Sequence, residues 1–338
     1  MSASLRKIES PWPHRWAVLL TCATFPLIWV GGLVTTLDAG MSVPDWPGTY
    51  GYNLFLYPWR TWFFGPWDLF IEHGHRLLGS LAGLLTICLT VSVFCCDSRR
   101  WMRWAVLSAL GLVIFQGVLG GLRVVLDQRT LALAHGCTGP LFFTWAAALC
   151  LFTSRAWKTF DGWESDAATA IQRIARITWG LVYLQLILGA LLRHIPAAAS
   201  HQFFRIVVLF HLLFALLTTI HIISLAMFSR RGPVLLKKLS RVLCLLVLCQ
   251  VALGVGTWVS KYAWPWQLGD YGFAAGYVVQ AKSFSSSLII TSHVAVGSLL
   301  LAFSGAAALA SGRLIPSVHQ ENRASVSRSA NLAIGAAS

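Results

Sequence analysis

Charged residues are scarce in this chain, and acidic residues are the scarcest of them. Only 11% of the 338 residues carry a charge, and Asp and Glu together number 12, whereas about a quarter of the residues in a soluble domain are charged. This shortage excludes a water-soluble globule. Because 57% of the residues are hydrophobic, a disordered chain is excluded as well. The composition therefore predicts an integral membrane protein.

Cysteine is missing from the polar stretches between the apolar runs, so no disulfide framework is predicted. The adjacent pair Cys95 and Cys96 lacks the spacing of metal ligands. Cysteines inside apolar runs are typically buried and unreactive, and we assign them no chemistry. All eight lie within apolar runs or at their ends: Cys22, Cys88, Cys95, Cys96, Cys137, Cys150, Cys244 and Cys249.

Long apolar runs make up most of the chain. A helix needs roughly 20 apolar residues to cross about 30 Å of hydrocarbon, and a helix satisfies its own backbone hydrogen bonds in lipid. The sequence therefore predicts an all-α integral membrane fold with eight transmembrane helices. The predicted spans cover residues 16–37, 71–95, 104–123, 130–153, 174–193, 205–228, 239–259 and 285–310.

Lys and Arg are concentrated on one side of the predicted spans. Of the 26 basic residues, 18 lie in the N-terminal tail 1–15, in the second, fourth and sixth loops, or in the C-terminal tail 311–338. The positive-inside rule then places both termini in the cytoplasm. The net charge of +14 is spread between apolar runs instead of over one soluble face, so nucleic acid is not an expected partner.

A short motif recurs in alternate spans. Glutamine precedes glycine by four residues in the third, fifth and seventh spans, and the first span ends in Trp29-Val-Gly-Gly. This predicts a duplication into two pseudo-symmetric four-helix bundles over 16–153 and 174–310, with a cytoplasmic linker over 154–173 and a disordered tail over 311–338. The alternative is that these glycines only pack the helices. The motifs are Gln116–Gly120, Gln185–Gly189 and Gln250–Gly254.

Every histidine inside a predicted span lies in an even-numbered span. Four of them lie about four to eight residues from the outer end of their span, roughly 6–12 Å below the membrane boundary: His75, His135, His211 and His293. His221 lies about 80° round the helix from His211 and deeper, so it is not expected to join them. The histidines outside the spans are expected to be solvated or interfacial: His14, His194, His201 and His319.

Two facing imidazoles in a four-helix bundle are typical axial ligands of a haem iron. The sequence therefore predicts one haem between His75 and His135. It predicts a second between His211 and His293. For a single histidine the alternative is a hydrogen-bonded packing residue, but four at one depth favour ligands. Zinc would need three or four close protein ligands, and the second half has no additional Cys, Asp or Glu at that depth.

Only the first half places a carboxylate beside its histidine. Glu72 precedes His75 by three residues and shares its helix face, whereas Val208 takes the equivalent position in the second half. Arg76 is the candidate to contact a haem propionate. Ordinary pairing of Arg76 with Glu72 or Asp68 is the competing interpretation.

The first outer loop runs from Asp38 to Trp67 and is rich in Trp and Tyr. Such residues are typical of an aromatic belt at the membrane interface. The alternative is that this loop forms a cap over the first haem. The sequence leaves both interpretations open.

These motifs together resemble the haem A synthase family. They are Gly31-Gly-Leu-Val-Thr-Thr-Leu-Asp-Ala-Gly-Met-Ser-Val-Pro-Asp45-Trp46-Pro, then Glu72-x-x-His75-Arg76, then single histidines in the fourth, sixth and eighth spans. The resemblance covers residues 16–310, nearly the whole chain. It implies an eight-helix, haem-dependent oxidoreductase of a bacterial plasma membrane that oxidises the C8 methyl group of haem O to the formyl group of haem A for terminal oxidases.

The same resemblance implies a role for each candidate residue. His75 and His135 flank the substrate haem, and Glu72 is the required carboxylate. In the C-terminal half, His211 and His293 ligate the cofactor haem B. Besides haem O, haem A and membrane lipid, the implied partners are an electron acceptor, haem O synthase and the terminal oxidase. Two other functions stay open: a dihaem b-type cytochrome that only transfers electrons, and a haem-binding assembly or transport protein.

The sequence departs from the family pattern in the first outer loop. Many bacterial members of the family carry two cysteines that bracket the Pro-Asp-Trp-Pro run, and Val43 and Thr49 stand there in this chain. A mechanism that uses a thiol or a disulfide at that place is therefore not expected here.

Overall fold

Eight long helices form the body of the protein. The structure, a computed structural model, describes residues 10–159, 162–196, 199–262 and 283–316. Each of the eight helices is long and apolar enough to cross a membrane, which confirms the predicted all-α membrane fold. They are α1 (Trp12–Thr36), α3 (Trp67–Cys96), α4 (Arg100–Val125), α5 (Arg129–Thr153), α7 (Ala168–Arg193), α8 (His201–Phe228), α9 (Val234–Tyr262) and α10 (Phe284–Ser311), with the short helices α2 (Trp59–Phe63) and α6 (Arg155–Lys158) between them.

The helices extend beyond the spans that the hydropathy pattern predicted. The largest difference is at α7, which begins at Ala168 instead of residue 174. Similarly, α3 begins at Trp67 directly after Pro66, and α1 begins at Trp12 within the predicted N-terminal tail. The backbone hydrogen bonds of a helix continue into the polar interface, where hydropathy is low, so an apolar run is shorter than its helix. Residues 1–9 of that tail lie outside the described residues.

Each half of the chain has its own apolar cluster. In the first half, side chains of α1, α3, α4 and α5 pack together around Leu20, Leu89 and Leu149. In the second half, side chains of α7, α8, α9 and α10 pack around Ile222 and Leu243. The halves meet where α10 contacts α1 and α5. The pseudo-symmetry of the two bundles stays a prediction.

The predicted linker over residues 154–173 contains regular structure. Strand β1 (Trp163–Ser165) pairs in parallel with strand β2 (Leu314–Pro316). The side chain of Gln172 also donates a hydrogen bond to the Leu314 carbonyl at 2.9 Å. The start of the predicted tail is therefore attached to the linker. The remainder of that tail, residues 317–338, lies outside the described residues.

Candidate functional site

The structure brings the four equal-depth histidines together as two pairs. The ring centroids of His75 on α3 and His135 on α5 lie 6.3 Å apart. Those of His211 on α8 and His293 on α10 lie 6.4 Å apart. A metal held between two imidazoles at about 2 Å from each ring nitrogen requires ring centroids roughly 6 Å apart. Both pairs have the spacing that one axially ligated iron needs.

Each paired histidine ring rests against a glycine of a neighbouring helix. A Cβ atom built on Gly31 of α1 would lie only 2.7 Å from Cε1 of His75. Such a contact is too short for any residue with a side chain unless the ring moves. The other three rings have the same arrangement, with Cβ-to-Cε1 distances of 3.2 Å for Gly120 and His135, 3.3 Å for Gly189 and His211, and 3.2 Å for Gly254 and His293.

These contacts give the recurrent glycines a role beside packing. Gly120, Gly189 and Gly254 are the glycines of the repeated motif, and each accommodates one imidazole. The motif glutamine of α7 also contacts a ring, because Nε2 of Gln185 lies 3.2 Å from Nε2 of His211. Each copy of the motif therefore places its glycine beside one paired histidine.

The polar atoms of the rings also suit a ligand site. Nδ1 is buried and has no hydrogen-bond partner in His75, His135, His211 and His293. A buried polar atom without a partner costs about 1–3 kcal/mol, and a ligand held between the rings would offset that cost. Three of the rings also interact with a backbone group of a neighbouring helix, at Leu27, Gln116 and Gln250. Among the described residues no group of three or more His, Cys, Asp or Glu could hold a metal ion. Two imidazoles fit a metal whose other ligands come from a porphyrin, and the residues present fit haem.

Glu72 is buried beside the first pair, with only 3% of its surface exposed. Its Oε1 accepts a hydrogen bond from Nη2 of Arg76 at 2.8 Å. Its Oε2 accepts one from the backbone N–H of Val43 at 3.3 Å. Both carboxylate oxygens are therefore held in place, one by the same helix and one by the first outer loop.

Arg76 attaches the first outer loop to α3. Its Nη1 donates to the carbonyls of Asp45 and Gly48 at 2.6 and 2.7 Å. Its Nη2 donates to the carbonyl of Val43 at 2.8 Å as well as to Glu72. The pairing with Glu72, which the sequence offered as the competing interpretation, is present. Since both Nη atoms have partners within the chain, contact of Arg76 with a propionate stays a prediction.

His73 is a second anchor of this loop, and its role was not predicted. Its Nδ1 lies 2.9 Å from Oγ1 of Thr49, and both residues are buried. The rings of Tyr57 and Trp62 lie 5.1 and 5.2 Å from the His73 ring. The available signal was its position next to Glu72 at the outer end of a span. Val43 and Thr49 are thus both points where hydrogen bonds attach the loop.

The loop also reaches across to α4. A Cβ atom on Gly121 would lie 2.3 Å from Cδ2 of Trp46, so the indole packs directly on the helix backbone. Arg123 donates from Nη2 to the carbonyl of Gly40 at 2.8 Å, and it interacts electrostatically with Glu72. Contacts with both α3 and α4 support the interpretation of this loop as a cap over the first pair.

Asp45 stabilises the turn of the cap. Its carboxylate accepts hydrogen bonds from the backbone N–H groups of Tyr50 and Gly51 at 2.7 and 2.9 Å. Burial acts to raise the pKa of Asp45, but these hydrogen bonds and the charge of Arg76 outweigh it, and the pKa lies below its usual value. The carboxylate form is therefore the one that supports the turn.

The second half lacks this arrangement. Val208, at the position that corresponds to Glu72, is buried and packs against Leu192, Ile195 and Phe204. The two histidine pairs therefore differ in their surroundings although they match in spacing. Within the described part of the chain, only the first pair has a buried carboxylate one helical turn away.

Two histidines outside the pairs have other environments. Nδ1 of His221 lies 2.9 Å from the carbonyl of Leu217 on its own helix. His194, expected to be solvated or interfacial, is partly buried after the end of α7, and its Nε2 lies 3.8 Å from a Cβ built on Gly136. Burial, with added repulsion from Arg193 and other cations, lowers the pKa of His194 to about 4. It is therefore neutral at physiological pH.

Comparison with known proteins points to one family. The family model for the cytochrome oxidase assembly protein, COX15-CtaA, matches residues 66–276. A haem A synthase of Hyphomonas neptunium is 23% identical over 239 residues, which cover 59% of this chain and 64% of that protein. A haem A synthase of Symbiobacterium thermophilum is 28% identical over 183 residues, which cover 52% of this chain and 56% of that protein.

A haem A synthase of Listeria monocytogenes is 29% identical over 140 residues, which cover 40% of this chain and 43% of that protein. The chain thus spans less than two thirds of the length of these relatives. The family model covers more than half of the chain and contains Glu72 and three of the four paired histidines. On the strength of this match, the chain belongs to the family of cytochrome oxidase assembly proteins.

Proposed function

We propose that the chain is a haem-dependent oxidoreductase that oxidises the C8 methyl group of haem O to the formyl group of haem A. The names of the relatives support haem A synthesis. The site supports it independently, because two imidazole pairs with the spacing of axial ligands suit a protein that binds one haem as substrate and one as cofactor.

The observation that carries the proposal is the difference between two pairs of nearly equal spacing. At 6.3 and 6.4 Å, the ring centroids of the two pairs are equally suited to an iron. Among the described residues, only the first pair has a buried carboxylate, that of Glu72, and a loop held beside it by hydrogen bonds. A protein that only transferred electrons would need neither feature, so the asymmetry favours one reactive half and one relay half.

In this proposal His75 and His135 hold the substrate haem in the first half. Glu72 keeps a fixed position one turn from His75, where a carboxylate either accepts a proton from the reacting group or stabilises developing positive charge. His211 and His293 hold haem B, which when bound supplies a one-electron redox centre.

The distribution of Lys and Arg supports an orientation with both termini in the cytoplasm of a bacterium. The histidine pairs then lie toward the outer face. We expect haem O to come from haem O synthase, haem A to pass to a terminal oxidase, and the electrons to leave through a separate acceptor.

Pigment analysis tests the proposal. The chain is expressed with haem O synthase in cells that lack haem A synthase, purified, and its haems are extracted and separated by chromatography. Haem B together with haem O or haem A is the expected result. Haem B alone in both sites would identify a dihaem cytochrome instead. Restored haem transport without any haem A would identify a transport protein.

A further inference from the structure

Several basic residues on the side of the bundle where the histidine pairs lie are partly buried. Eight Lys and Arg residues fall outside the five cytoplasmic groups. Four of them are partly buried instead of exposed: Arg76, Arg123, Arg193 and Lys261. A buried cation is costly unless an anion accompanies it. Each of these four residues therefore needs an anion close to its charged group.

The two cations of the first half have acidic neighbours. Arg76 forms an ion pair with Glu72 at 2.8 Å. Arg123 interacts favourably with Glu72, Asp38 and Asp127. The charges of the first half are thus compensated within the chain.

In the part of the second half that the structure describes, the two partly buried cations have no acidic neighbour. Arg193, the last residue of α7, and Lys261, near the end of α9, repel each other electrostatically. Among the described residues, no Asp or Glu interacts with either of them. Nη1 of Arg193 is buried and has no hydrogen-bond partner. Arg193 and Lys261 therefore place two positive charges near each other, and Nη1 of Arg193 is a hydrogen-bond donor without an acceptor.

The remaining contacts of Arg193 locate this place beside the second histidine pair. Its Nη2 donates to the Gly32 carbonyl and to Oγ1 of Thr36 at 2.7 Å, both on α1. Oγ1 of Thr36 in turn lies 3.1 Å from Oγ1 of Thr291, two residues before His293. These contacts fix the guanidinium where α1, α7 and α10 meet and leave Nη1 available for a ligand.

We propose that Arg193 and Lys261 bind a propionate carboxylate of the haem that His211 and His293 hold. This inference rests on the proposed function. A guanidinium and an ammonium are the side chains that bind a carboxylate through charge-assisted hydrogen bonds. A dianionic haem would supply a negative charge to these two cations, and its propionate would lie where α1, α7 and α10 meet.

The test compares two probes, haem B and its dimethyl ester, in which both propionates are neutral. Apoprotein is purified from haem-deficient cells and titrated with each probe, and the low-spin bis-imidazole spectrum reports binding. Charge-assisted hydrogen bonds contribute about 1.5–3 kcal/mol, so the wild-type protein should bind haem B about tenfold or more tightly than the ester. In Arg193→Gln and in Lys261→Gln this ratio should shrink toward one.

Two further variants make the result specific. Arg60→Gln removes an exposed cation of the same side and should leave the ratio unchanged. Because Arg193 also bonds to α1, its substitution disturbs packing, whereas Lys261→Gln tests the charge without that loss. An unchanged ratio in Lys261→Gln and Arg193→Gln would overturn the inference. If wild-type protein bound neither probe, the proposed function itself would fail.

Discussion

Each paired histidine depends on a single residue that has no side chain. Cε1 of each ring is the atom nearest to the Cβ position of its glycine, and the tightest approach is the 2.7 Å that a Cβ on Gly31 would make with His75. In contrast, Nδ1 of His221 lies 2.9 Å from a backbone carbonyl of its own helix, that of Leu217. Substitution of a paired histidine and substitution of His221 should therefore have different effects, although the residue type is the same.

Substitution of the second pair should remove haem B. His211→Ala and His293→Ala each delete one of two axial ligands, so the low-spin spectrum of haem B should disappear from the purified protein. His221→Ala is the matched control on the same helix and should retain it. Persistence of the bis-imidazole spectrum in both pair variants would show that these histidines are not the ligands.

Gly31→Ala should disturb only the first pair. The new methyl group would collide with the His75 ring, and this ring must move because the glycine lies within a helix backbone. We expect loss of haem O and haem A from the purified protein, with haem B retained. Gly83→Ala on α3 is the control, since nothing lies within 4 Å of its Cβ position. Normal haem O and haem A content in Gly31→Ala would contradict the assignment of the substrate site.

At the scale of elements, the first outer loop is attached by non-covalent contacts to α3 and α4. The backbone N–H of Val43 donates to Glu72, and the Val43 carbonyl accepts from Arg76. The hydroxyl of Thr49 forms a hydrogen bond with the ring of His73. All eight cysteines are free. The stability of this cap should therefore depend on buried polar contacts and not on the redox state of a disulfide.

Thr49→Val should loosen the cap. It removes the buried hydrogen bond to His73, which contributes about 1 kcal/mol, and it leaves Nδ1 of His73 without that partner. Hydrogen exchange of the backbone amides in residues 38–52 should become about fivefold faster. Thr61→Val, at an exposed position of α2, should have no effect there. Equal exchange in Thr49→Val and wild type would mean that this hydrogen bond does not attach the loop.

Acid should loosen the same loop through Asp45. The folded pKa of Asp45 lies below its usual value, so its contribution is fully present above the unfolded pKa of about 3.9. It is lost as the pH falls through the lower folded pKa. The fluorescence of the cap, which includes Trp46, should change below about pH 4 in the wild type. Asp45→Asn should lack this transition. A transition of the same size in Asp45→Asn would exclude Asp45 as its cause.

At the scale of the whole molecule, the sequence predicts the helices and the histidine pairs. It does not predict the exact helix ends or the contacts between residues that are distant in sequence. Apolar run length predicts the number of helices, equal depth selects the four histidines, and the division into two halves predicts which of them pair. The early start of α7 at Ala168 was not predictable from hydropathy, because helical hydrogen bonding continues into polar sequence. Likewise the convergence of Arg193 and Lys261 joins helices that are distant in sequence, and no local pattern encodes it.

The central claim is that one half is reactive and the other is a relay, and Glu72 tests it most directly. Glu72→Gln keeps the size of the side chain and its hydrogen-bond acceptor but loses the charge and basicity. Asp68→Asn, an exposed carboxylate in the first turn of the same helix, is the matched control. The measurement is chromatography of haems B, O and A from each variant expressed with haem O synthase.

For Glu72→Gln the account predicts normal haem B, accumulated haem O or a partly oxidised haem, and roughly a hundredfold less haem A than in the wild type. Asp68→Asn should make wild-type amounts of haem A. Wild-type haem A in Glu72→Gln would remove the carboxylate from the mechanism and contradict the division into a reactive half and a relay half.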